Sequence, residues 1–292
     1  MLQSYSSSIE RIWYYALRGL CGLILLFLII PVLVIIPLSF NADSFLLYPM
    51  SGFSLRWYEE FFGSATWTDA LKNSLIISPL ATLLAVVLGT LASIGLTRAS
   101  FPGKALLVSV LISPMIVPVV ISGVAIYLFF APIGLAGSYL GLVLAHAMLG
   151  VPFVITTVTA TLQGFDYNLV RAAASLGVDP VRAFFKVTLP IVGPGVVSGA
   201  LFAFATSFDE VVITLFLASP EQQTLPRKMF SGIRDNISPA IAAAATVLVV
   251  VATLLLLVLE WQRRRTERLR GAAGTIARPV RRAFWRRRLF EG

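Results

Sequence analysis

The chain has little of what enzymes are usually built from. It contains one cysteine, Cys21, and one histidine, His146, so no intrachain disulfide is possible and no Cys/His cluster offers metal-ligand spacing. No Gly-x-Ser-x-Gly stretch is present, and a serine hydrolase site would have to recruit His146 from inside an apolar run. None of the four lysines is followed by Ser or Thr, which excludes a phosphate-binding P-loop. Charge is scarce as well. Asp, Glu, Lys and Arg make up 13% of the 292 residues, against about 25% in soluble domains.

What replaces charge is apolar surface. Hydrophobic residues reach 58% and the mean hydropathy is +0.87. Too little polar surface remains to cover a water-soluble globule, so the chain is expected to be an all-α integral membrane protein, its apolar surface matched to lipid.

Six apolar runs are each long enough to cross a hydrocarbon core of about 30 Å. They lie at about 19–38, 74–96, 105–130, 137–162, 191–217 and 239–261. The first is followed by Pro37, Leu38, Ser39 and Phe40, which offer no small-residue cleavage site, so it is expected to be a retained helix rather than a signal peptide. The aromatic stretch from Phe53 to Phe62 in the next loop suits an interfacial position. Pro114 and Pro118 interrupt the third run and should kink it, either for packing or as a pore-lining bend. Gly137 and Gly141, four apart at the start of the fourth, suggest close helix packing. His146 in that run reads either as a functional ionisable group or as a neutral interhelical hydrogen-bond partner. The organisation expected is therefore residues 1–66 as N-terminal segment, first helix and loop, 67–261 as the main membrane domain, and 262–292 as a basic tail.

Six spans place both ends of the chain on one side. Eighteen of the 23 Lys and Arg then fall on that side, eleven of them in the tail after Trp261. Both termini are thus expected to be cytoplasmic. This placement also assigns the net charge of +9 to a membrane face rather than to nucleic acid. The tail, with Phe284, Trp285 and Phe290 among its arginines, reads either as an amphipathic segment held on anionic headgroups, at about 1 kcal/mol per basic residue, or as solvated charge that fixes topology.

Between the fourth and fifth runs lies a polar interruption, Asp166–Pro190. Asp166 can cap a short helix over 167–176, and Gly177 can supply the left-handed residue that ends it. Asp179 and Pro180 can restart a helix as N-cap and first residue. Ala172, Ala173 and Ala174 leave one face open to close approach by another surface.

This interruption resembles the EAA motif of ABC-importer permease subunits: Glu-Ala-Ala, three residues, Gly, nine residues, Ile-x-Leu-Pro. Ala172, Ala173, Gly177, Leu189 and Pro190 stand at matching positions, and Val187 replaces Ile. Arg171 occupies the position of the Glu and reverses its charge. From about Trp67 to Trp261 the chain looks like the transmembrane domain of a type I importer. The stretches S-F-D-E-V-V-I-T-L-F-L and T-L-P-R-K-M-F-S-G-I-R resemble the spermidine/putrescine branch, and within it the second of two permeases.

The resemblance implies that Arg171, Ala172, Ala173, Gly177, Asp179, Pro180, Val187, Leu189 and Pro190 couple the chain to an ATPase. It implies a bacterial inner membrane location, a second permease subunit as heterodimer partner, two ATPase subunits that hold the ATP and Mg, and an external solute-binding protein. No cofactor is expected in this chain itself. An ATP-independent secondary transporter or channel for small amines or zwitterions is the competing class.

For the pathway the candidates are Asp209, Glu210 and Phe208. Carboxylates inside a bilayer cost about 2.5–3.5 kcal/mol each and persist where they face a cavity or a partner. Asp209 matches the acidic position of the polyamine-type stretch, and Glu210 suits a packing partner. Equally, the pair can mark a span end at headgroup level.

Overall fold

A computed structural model describes residues 8–46, 48–235, 238–258, 260–261 and 264. The secondary structure is helical throughout these residues, apart from a single antiparallel bridge between Asn41 and Phe53. The helices are α1 (Ser8–Leu38), α2 (Arg56–Gly63), α3 (Ala65–Arg98), α4 (Lys104–Ile112), α5 (Val119–Phe130) and α6 (Tyr139–Gln163). There follow α7 (Asn168–Ser175), α8 (Pro180–Ala183), α9 (Leu189–Phe208), α10 (Val212–Leu217), α11 (Leu225–Asp235) and α12 (Pro239–Val258).

Among the described residues five helical segments have the length and apolarity to cross a membrane: Ile12–Leu38, Ala65–Arg98, Tyr139–Gln163, Pro180–Phe208 and Pro239–Val258. A sixth arises if Lys104–Met115 and Val119–Phe130 count as one span, but these bend by 105°. The prolines explain the bend. Pro114 and Pro118 lack the N–H groups that would continue the ladder, so a 3-10 turn, Ser113–Met115, and an extended Pro118 replace it.

The chain divides into two compact units. One comprises the described parts of Met1–Thr68 and Met229–Val249. Its loop is tied by main-chain bonds from Ala42 N to Gly52 O (3.0 Å) and Ser54 N to Phe40 O (2.7 Å). Trp57 Nε1 donates to Asn41 O at 2.7 Å, and the Tyr58 and Ser39 hydroxyls meet at 2.6 Å. Trp57 also packs with Ala240 and Ala243. The aromatic stretch expected at the membrane interface therefore spends Trp57 and Phe61 on the chain's own interior, and Phe62 alone of its last three aromatics points outward.

The second unit, the described parts of Asp69–Lys228 and Val250–Gly292, is built on the crossing of α6 and α9, with α3 alongside. Ala81, Ala85, Val154, Val158, Leu162, Val192 and Ala203 form its centre. Water does not drive helices together inside lipid, so close van der Waals packing must do so. Gly195 and Gly199 of α9 supply it, lying against Thr157, Thr161 and Val154 of α6. Gly137 and Gly141 do not serve as such a seam. Gly137 precedes the helix with φ of 73°, and a Cβ on Gly141 would meet the carbonyl of Leu135 in the preceding loop.

At the end of this unit remote from α7, polar side chains lace the connections. Asn73 Nδ2 donates to the carbonyls of Glu221 (2.9 Å) and Gln223 (3.0 Å), and Tyr139 Oη donates to Asn73 Oδ1 at 2.8 Å. Gln222 Nε2 donates to Gly137 O at 2.8 Å, and the Leu225 N–H to Ser74 Oγ at 2.8 Å. Glu221 itself is held below the ordinary carboxylate pKa by its own backbone N–H and by the Ser219 hydroxyl at 2.9 Å.

Candidate functional site: a helical knuckle and a broken span

The Asp166–Pro190 segment forms the helix–turn–helix that its residues dictate. Asp166 Oδ1 accepts from the Asn168 N–H at 2.9 Å, and α7 starts there, one residue later than expected. The helix closes with a Schellman motif. Val178 N donates to Ala173 O (3.1 Å), and Gly177 N donates to Ala174 O (2.9 Å). That geometry demands a left-handed residue, and Gly177 has φ of 78°. Asp179 then caps α8 through Oδ1, which accepts from Arg182 N at 3.0 Å, while its Oδ2 pairs with Arg182 Nε at 3.1 Å. Pro180 takes the first helical position.

The joint to α9 is a wide π turn, Phe184–Thr188. It immediately precedes Leu189 and Pro190, whose proline cannot donate to a carbonyl four residues back. The knuckle's root is anchored by Phe165, in the core beside Val158 and Leu162, and by Tyr167, over whose ring the Arg98 guanidinium lies at 5.1 Å. Ala173, Ala183 and Thr188 are buried in this root; Val187 and Leu189 are half-buried. Its outer surface carries Arg171, Ala172, Gly177, Asp179, Pro180 and Pro190. Between them project Leu176, 84% exposed, with Val181 and Phe185. An exposed apolar patch rimmed by polar residues is the usual make-up of a protein contact. Among the described residues the Arg171 guanidinium donates to Asn168 Oδ1 within its own helix.

The second region lies at the far end of α9. The fifth apolar run, expected to continue to Leu217, breaks at 209–211 and resumes as α10. Glu210 makes the break possible, because its Oε1 accepts the Ile213 N–H at 2.6 Å and satisfies the new helix start. Asp209 is exposed and has no basic partner among the described residues. Phe208, expected beside it in the pathway, is instead only 4% exposed and stacks on Phe204 at 5.2 Å. Its ring fills the interior of the unit, so of the three candidates Asp209 alone is fully presented.

His146 takes the second of its two expected readings, an interhelical hydrogen-bond partner. It is fully buried on α6, with Nδ1 2.9 Å from Ser207 Oγ on α9 and Nε2 3.1 Å from Thr214 Oγ1 on α10. Neither hydroxyl stood out in the sequence, since serine and threonine are common in membrane helices and only the fold brings them to the ring. A separate groove of about 850 Å³ lies in the bend of α4 and α5 against α3 and α6. Ser113 and Ser122 are the hydroxyl-bearing residues among its described walls, which include no carboxylate.

Residues 81–268 match the family described as the binding-protein-dependent transport system inner membrane component. The chain belongs to this family. It is 34% identical over 217 residues to the spermidine/putrescine transport system permease protein PotC of Haemophilus influenzae, spanning 74% of this chain and 84% of that one. It is 33% identical over 224 residues to the putrescine transport system permease protein PotI of Escherichia coli, spanning 74% and 79%. Its fold matches a chain of a bacterial ABC transporter involved in the import of the acidic polysaccharide alginate, with a TM-score of 0.69 at 13% identity, over 89% of this chain and 99% of that one.

This permease is thus an inner-membrane transport component of the ABC-importer type, on the polyamine branch, and its relatives are transport subunits rather than enzymes.

Proposed function

We propose that this permease forms, together with a second permease subunit, the translocation pathway for a small amine-type solute, a polyamine such as putrescine or spermidine. Two separate ATPase subunits, which hold the ATP and Mg, drive it through the α7–α8 knuckle, and an external solute-binding protein delivers the solute. Both termini and the knuckle face the cytoplasm, the side with eighteen of the 23 basic residues.

The observation that carries this reading is the knuckle. It joins α9 through the π turn and ends in the exposed apolar tip of Leu176, Val181 and Phe185. A surface seated there moves α9 directly, and α9 ends at Asp209. ATPase closure then tilts the spans between outward- and inward-facing states. Within the motif's position Arg171 offers a cation where an acid is usual, so the surface it meets should be acidic or neutral at that point.

The solute class rests on Asp209, an exposed carboxylate at a helix break with no basic partner among the described residues, and on the similarity to PotC and PotI. A protonated amine is the complementary ligand. The test is purification in mild detergent followed by uptake into proteoliposomes. A stoichiometric ATPase chain and ATP-dependent uptake of labelled putrescine are expected. Uptake driven by an ion gradient, with no ATPase recovered, would assign the chain to the secondary transporters instead.

A further inference from the structure

The fifth span is interrupted at 209–211, and α10, only six residues long, depends on its contacts for order. Ile213 and Leu217 pack it into a core with Ile126 of α5 and Leu142 of α6, and Glu210 caps its start. That core contains no residue of α9, so the tie across the break has to come from elsewhere.

We propose that His146 staples the two sides of this break together and thereby positions Asp209, which rests on the reading of Asp209 as a pathway residue. One ring nitrogen holds Ser207, two residues before Asp209, and the other holds Thr214, within α10. A neutral imidazole has one donor and one acceptor nitrogen, and a hydroxyl takes either role, so both bonds form together. The staple bridges the break and ties it to α6, the helix that α9 crosses. Thr214 Oγ1 also lies 3.5 Å from Glu210 O, which links the staple to the acidic pair.

His146 is in this account a positioning residue. Asn at 146 reaches from the position of Nδ1 only, and Gln from that of Nε2 only, so each retains polarity but serves one side of the break. The experiment uses the full chain in membrane vesicles, with Cys21→Ser as background and Val211→Cys as reporter in the joint. Val211 is half-buried, and its labelling by a water-soluble maleimide reads the closure of the joint without any solute. His146→Ala, His146→Gln, His146→Asn, Ser207→Ala and Thr214→Val are each expected to raise the labelling rate at least ten-fold. An Ala200→Cys reporter in the middle of α9 should stay within two-fold.

Labelling at 211 within two-fold of the parent in Ser207→Ala and Thr214→Val overturns the staple, even where the His146 variants fail to fold. So does an equal rise at 200 and 211, which would mean general loosening. Because no solute enters the assay, a staple that passes while Asp209→Asn leaves uptake unchanged would sink the pathway reading alone.

Discussion

Gly199 of α9 lies so close to Thr157 of α6 that a Cβ on the glycine would stand 2.6 Å from the threonine Oγ1. The same added atom would be 2.8 Å from the Val154 Cα, which is backbone and cannot turn aside. Gly195, one turn earlier, is held as tightly by Thr161. The α6–α9 crossing is therefore set by absence of side chain at two positions on one face of α9.

Gly199→Val is accordingly expected to destabilise the chain by about 1–3 kcal/mol, the usual cost of forcing atoms into a closed contact. The readout is the thermal transition in detergent. Gly95→Ala in α3 is the control, since nothing lies within 4 Å of the added carbon. That change should be neutral or favourable by up to about 1 kcal/mol from helix propensity.

The knuckle yields a prediction about backbone. Gly177→Val should disfavour the left-handed residue by about 1–2 kcal/mol, because a β-branched side chain crowds the following carbonyl. Gly177→Asn should be much milder, since Asn tolerates that region. The measurement is stimulation of ATPase activity by the loaded binding protein in proteoliposomes. Loss with Val and retention with Asn is the expected pair, and equal behaviour of the two would remove the backbone explanation.

These positions also show what the chain's pattern carries and what it hides. The knuckle was legible because its signals are local. Asp179, Pro180 and Gly177 act within a few residues of themselves, and the structure uses each in the expected role. Pro114 and Pro118 marked where the third span bends, but the 105° angle depends on what packs around it. The break at Asp209 was hidden, because Val211 to Leu217 continues the apolar run without punctuation. Of the contacts that hold it, the Glu210 carboxylate on the Ile213 N–H is local, and the imidazole from α6 is tertiary. Phe208 turns inward, onto the ring of Phe204. Adjacency to the acids in sequence says nothing of direction, and residues next to each other on a helix point about 100° apart.

The tip of the knuckle can be tested for docking without touching the fold. Leu176 is exposed in the chain by itself, so Leu176→Asp should change stability by no more than about 0.5 kcal/mol. Should an ATPase subunit cover it, the same change buries a charge in an apolar contact. The ATPase is then expected to be lost from the detergent-purified complex, with the thermal transition of the permease unmoved. Co-purification at undiminished stoichiometry would place the docking surface elsewhere.

The acidic pair should divide its labour, and the two residues can be separated by matched substitutions. Glu210 serves α10 through a carboxylate oxygen that accepts a backbone N–H. Glu210→Gln keeps an acceptor there and should be tolerated, whereas Glu210→Ala leaves an orphan donor and is expected to cost about 1 kcal/mol of stability, as cap removals do. Asp209 makes no such contact, so Asp209→Asn should leave stability unchanged. Its effect should fall on transport of a cation. We expect the apparent KM for labelled putrescine to rise at least ten-fold, and the difference from wild type to shrink as salt screens the charge. The two outcomes are opposite in kind, one read in a melting curve and the other in a flux. If Asp209→Asn lowers stability while Glu210→Gln raises the KM, the roles assigned here are exchanged. If neither substitution changes uptake, the cation passes elsewhere, and the break serves packing alone.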